Sequence, residues 1–80
     1  PFFLWLLEPE EAIRQLDAER GYWRGILDEL EAIREEPTGT DRKARTFRIV
    51  LEGGIRTVTA RLEWLEWAIA EVGSPGWRDA

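Results

Sequence analysis

The sequence predicts an all-α fold: an antiparallel hairpin of two long helices behind a short N-terminal helical segment, assembling as a dimeric helical bundle. Three observations carry this. Over residues 47–72 the apolar side chains Leu51, Ile55, Val58, Leu62, Leu65, Ile69 and Val72 step by four and three, the spacing of one helix face. Upstream, Pro37, Thr38, Gly39 and Thr40 interrupt the chain with residues that end one helix and start another. The later helix also bears a second stripe, Gly53, Thr57, Ala60, Trp64 and Trp67, again stepping four and three. A helix apolar on two faces needs two partners. The other arm of the hairpin can supply one; a second chain or a further domain must supply the other.

Composition narrows the function classes. Eighty residues make a single small domain, here a helical dimerisation or effector-type domain over 1–80, with a hydrophobic fraction of 44% and five tryptophans. A short chain so rich in large apolar residues gains stability by associating with another copy. Cysteine and histidine are both absent, which removes the thiolate nucleophile, the commonest general base and the commonest zinc ligands. No cofactor, metal or catalytic activity is expected. The net charge of −5 argues against a nucleic-acid surface on these residues. Residues 1–36 hold ten acidic side chains against four arginines, while 41–61 hold six basic against two acidic, a bias that suits an antiparallel pair. The longest apolar run, 2–7, is far below the roughly 20 residues of a membrane span. It also lacks the basic start and small-residue cleavage site of a signal peptide. A start at Pro1 without methionine is what a processed product or a fragment of a longer chain would show.

In order along the chain, the lead at 1–7 (PFFLWLL) is expected to be a short helical segment packing within a dimer. Pro9 with Glu10 and Glu11 reads as a helix start, because proline is preorganised for the first position and carboxylates suit the positive end of the dipole. The first long helix should cover about 9–35, with Ala12, Leu16, Glu19, Trp23, Ile26, Leu30 and Ile33 forming a heptad seam. The turn falls at 37–40 with Thr40 as N-cap, the second helix covers about 41–72, and Gly73 closes it ahead of a tail at 73–80. A short connection folds the helices so that numbers summing to roughly 77 meet. Ile26 then faces Leu51, and Trp23 lies across Gly53 and Gly54. The predicted hairpin core is Leu16, Trp23, Ile26, Leu30, Leu51, Ile55, Val58 and Leu62.

Among candidate functional residues, the carboxylates Glu10/Glu11, Asp28/Glu29/Glu31, Glu35/Glu36 and Glu63/Glu66 read as solvated faces, since a carboxylate bundle site also needs histidines. The basic cluster Arg42, Lys43, Arg45 and Arg48 is expected to oppose Glu29, Glu31, Glu35 and Glu36 across the turn. The aromatics carry most promise. Gly53, Thr57, Ala60, Trp64 and Trp67 form a face that the hairpin leaves unused. It suits a dimer interface, or a pocket floor for a flat apolar ligand such as a small aromatic effector.

Three elements, EPEEAI at the first helix start, LEGGI at 51–55 and LEWLEWA at 62–68, resemble the C-terminal domain of PadR-like transcriptional regulators, also described as the virulence-activator alpha C-terminal domain. The resemblance extends over about 2–72. It implies a cytoplasmic regulator whose C-terminal helices build the homodimer and, in some members, a small-molecule pocket. DNA is bound through an N-terminal winged-helix domain that these eighty residues do not include. The rival reading is a stand-alone structural or designed helical bundle without a ligand.

Overall fold

Pro9 fixes the backbone angle of a first helical residue, and its missing N–H falls where no helical acceptor exists. From there the chain holds one unbroken helix, because the next 25 residues contain no further proline. The computed structural model describes residues 4–77, comprising a 3-10 turn at Leu4–Leu6, α1 at Pro9–Arg34 and α2 at Arg42–Val72. The first three residues of the lead and the last three of the tail fall outside the described residues. The described residues include no strand, and the two helices pack antiparallel along their length, as the periodicity predicts. No helix among them is long and apolar enough to cross a membrane.

The start of α2 differs from the sequence expectation in a way that local chemistry explains, while Gly73 closes the helix as expected. Asp41, not Thr40, is the N-cap: its backbone is extended and its carboxylate accepts a 2.8 Å bond from the Ala44 N–H. A carboxylate there also meets the positive end of the helix dipole, an advantage that a threonine hydroxyl lacks. At the other end Gly73 keeps a right-handed φ of −78°. The left-handed residue is Gly76, at φ 86°, where the chain turns Trp77 back onto the core.

The interior is one continuous seam in two parts. Ala12 and Leu16 of α1 pack with Leu65, Ala68 and Val72 of α2, beneath Leu4, Leu7 and Trp77. Leu27 packs with Leu51, Ile55, Val58 and Leu62. Trp23 is half-buried and touches both parts, bridging them. Its ring meets Tyr22 edge-on at 5.1 Å, and the Arg61 guanidinium sits 4.8 Å above it. Three exposed ion pairs run between the helices: Arg34 to Glu52 at 3.2 Å, Arg24 to Glu66 at 3.4 Å and Arg61 to Glu19 at 3.6 Å. Exposed pairs of this kind stabilise by about 1 kcal/mol or less each.

Those contacts correct the predicted register. Gly54 faces Leu30, whose Cδ1 lies 3.7 Å from where a Cβ would stand, and beside Gly53 there is nothing within 4 Å. Trp23 therefore does not lie across the glycine pair. The helices are slid by about two turns relative to a fold centred on the connection. The connection itself takes up the difference: Arg48 of α2 binds back to Thr38 and, at 2.8 Å, to the Gly39 carbonyl. The loop thus lines the first turns of α2 in place of α1. Phe47, which numbers summing to 77 would place opposite Leu30, is exposed, as is Ile33.

The same slide separates the charges expected to meet. Arg42, Lys43 and Arg45 form no ion pair among the described residues, and Glu31 pairs with Arg34 of its own helix at 3.6 Å. Glu35 and Glu36 likewise stay unpaired with the basic cluster.

The hairpin measures 57 × 18 × 17 Å and exposes 6306 Å². A compact protein of this mass would expose about 5,000 Å².

Candidate functional site

Because the stripe from Leu51 to Val72 turns toward α1, the opposite side of α2 faces away from the hairpin. Gly53, Thr57 and Ala60 lie there, all exposed. Trp64 and Trp67 continue the face, at 42% and 62% exposure. A hairpin with so small an interior has no room for these two indoles, and they stay largely in solvent as a contiguous apolar surface. Thr57 donates its hydroxyl to the Gly53 carbonyl at 2.8 Å, so it adds no unmet donor to this surface.

The structure extends the face beyond the residues that the sequence singles out. Ile49, at 73% exposure, lies one turn before Gly53 and prolongs the same stripe. The signal was present: one further step of four back from Gly53 reaches it. Val50 and Phe47 are exposed beside it. Two shallow grooves run along this side, both open to solvent. One lies among Arg45, Arg48, Ile49, Glu52, Gly53 and Arg56, and the other among Thr57, Ala60, Arg61 and Trp64. Bare backbone at Gly53 forms the notch of the first, and the Trp64 indole forms one wall of the second.

The hairpin-core candidates divide by depth. Leu16, Leu51, Ile55, Val58 and Leu62 are buried, while Trp23, Ile26 and Leu30 are half-buried at the seam's edge. Leu27 and Ala68 are buried as well and lie off the heptad positions used to choose the candidates.

Chemically the face offers flat apolar area with charges at its margins. Glu52 is held by Arg34 and, at 3.7 Å, by Arg56. Glu63 and Glu71 show no side-chain ion pair among the described residues. No group of three or more carboxylates in the described residues is placed to hold a metal ion. The arrangement can bind apolar surface and discriminate by charge, and it holds no nucleophile beside a base.

Comparison with known proteins gives one finding. Searches of curated proteins and of solved structures returned no match. The family model described as virulence activator alpha C-term matches residues 2–72, nearly the whole chain and both long helices with the turn between them. The chain belongs to the virulence activator alpha C-term family.

Proposed function

We propose that this domain is the homodimerisation module of a PadR-like cytoplasmic transcriptional regulator, in which a separate winged-helix domain contacts DNA. The observation that supports this reading is the uncovered face of α2, where Ile49, Trp64 and Trp67 stand exposed on a helix whose other side is already buried. The family is one of C-terminal helical domains associated with transcriptional regulation, a setting in which pairing two copies places two DNA-binding domains on one operator. The surplus surface is of the right size. Roughly 1,300 Å² separates the hairpin from a compact protein of its mass, more than the ~800 Å² that each partner contributes to a standard interface. A planar aromatic effector would enter this seam beside Trp64 and Trp67, where indole faces offer stacking area.

The test is to fuse the eighty residues behind a DNA-binding domain that represses only as a dimer. The fusion should repress, and Trp64→Glu with Trp67→Glu should abolish repression without loss of helical circular dichroism. A fusion that fails to repress while folded and abundant removes the dimerisation reading and leaves the stand-alone bundle.

A further inference from the structure

The outer face of α2 is electrically polarised along its length. Residues 42–56 carry five basic side chains and one acidic, whereas 57–72 carry one basic and three acidic. The one acidic member of the first half, Glu52, is occupied by Arg34 and Arg56. The one basic member of the second half, Arg61, is occupied by Glu19 and lies over the Trp23 ring. With Glu66 held by Arg24, what remains for a partner is a basic half and, in Glu63 and Glu71, an acidic half on either side of Thr57 and Ala60.

Size is polarised in the same sense. The basic half holds the notch at Gly53, where an added Cβ would meet nothing within 4 Å, inside a groove walled by Ile49 and Arg56. The acidic half holds the two bulky indoles, Trp64 and Trp67, both exposed.

From this we infer that the face binds a second copy of itself antiparallel, α2 against α2, about a two-fold axis between Thr57 and Ala60. The inference rests on the dimerisation reading and adds its orientation and register. In this arrangement Trp64 of each copy enters the other's Gly53 notch, and Trp67 covers Ile49. A two-fold axis perpendicular to the helices keeps corresponding flanks on the same side. Arg56 and Glu63, which share one flank of α2, therefore approach each other's counterparts, and Arg45 approaches Glu71. A parallel pairing, about an axis along the helices, carries corresponding flanks to opposite sides, so Arg56 and Glu63 no longer approach each other. It also sets each indole level with its own copy and leaves both basic halves at one end, which disfavours it.

Single-cysteine variants test this cleanly, because the chain has no cysteine of its own. Sedimentation first establishes the dimer. Under oxidation Ala60→Cys should cross-link to itself, since the two copies of residue 60 lie within one turn of the axis. Ile49→Cys alone should not, because at 1.5 Å per residue its two copies are about 28 Å apart. Ile49→Cys refolded together with Trp67→Cys should cross-link between the two variants. Efficient self-cross-linking of Ile49→Cys overturns the antiparallel arrangement while leaving the dimer intact. A sedimenting dimer in which none of these pairs cross-links also overturns it, placing the interface on another face. A monomer by sedimentation removes the dimerisation reading itself. As an independent check, Arg56→Glu should weaken the dimer several-fold and Glu63→Arg added to it should restore affinity. The two positions are two turns apart within one chain, so only a contact between chains produces that rescue. A double variant as weak as the single one overturns the register.

Discussion

Asp41 and Thr40 stand side by side at the start of α2, and only one satisfies an otherwise unpaired helical N–H. The Asp41 carboxylate holds the Ala44 N–H at 2.8 Å. Replacing Asp41 by alanine should therefore cost about 1 kcal/mol of stability, whereas Thr40→Ala should stay within about 0.5 kcal/mol, read by urea denaturation. A larger loss at Thr40 than at Asp41 would return the cap to the threonine. Glycines offer a second contrast at this scale. Gly25 lies in mid-helix with nothing within 4 Å of an added Cβ. Gly25→Ala should stabilise the protein by about 0.5–1 kcal/mol through helix propensity alone. Gly53 has the same open space within one chain, yet Gly53→Leu should weaken association if that notch receives an indole. The two substitutions separate a glycine that merely costs stability from one that receives a partner side chain. Equal effects of both on association would show that Gly53 has no such role.

At the scale of the element, α2 is where the sequence is most legible. Its inner stripe repeats a large apolar residue every three or four positions, and a helix turns such a repeat into one face whatever it packs against. Leu51, Ile55, Val58, Leu62, Leu65 and Val72 are accordingly all buried. α1 is harder to read because its apolar face is wider than a heptad seam. Leu27 goes inside while Ile26 and Leu30 share the edges, and Gly21 and Gly25 give no pattern to fix the rotation. The register was not legible at all. It depends on how the connection at 35–41 travels, and Arg48 fixes that path by binding Thr38 and Gly39, a contact between residues ten and nine positions apart with no motif to announce it. The outer face was legible as a stripe, but its end at Ile49 lies among arginines that obscure it. Where the inner stripe concentrates its burial can be tested. Leu65 is fully shielded. Leu65→Ala should cost about 2.5–5 kcal/mol, enough to unfold much of a domain this small at room temperature. Leu6→Ala, on an exposed side chain of the lead, should change stability by no more than about 0.5 kcal/mol. Similar losses at both positions would mean that the lead is covered by something other than this chain.

At the scale of the molecule, one hairpin has too little interior for its surface. Its radius of gyration is 17.2 Å. A compact chain of eighty residues would have about 12 Å. Among the described residues ten apolar side chains are buried, while four of the largest, Trp5, Tyr22, Trp64 and Trp67, remain more than a third exposed. If part of the stability comes from pairing two copies, folding and association are linked, and the thermal midpoint must depend on protein concentration. A tenfold rise in concentration changes the free energy of a dimer by about 1.4 kcal/mol. For a unit of twice eighty residues this moves the midpoint by roughly 3–6 °C. Calorimetry or circular dichroism over two decades of concentration reads that slope directly. The variant carrying Trp64→Glu and Trp67→Glu should lose both the slope and much of the midpoint, since exposed indoles contribute little to the single hairpin and charge repels the partner. A wild-type midpoint that stays fixed from micromolar to hundreds of micromolar, with the mass of one chain in sedimentation, would show that the hairpin is stable alone. It would also leave the outer face of α2 without the role assigned to it.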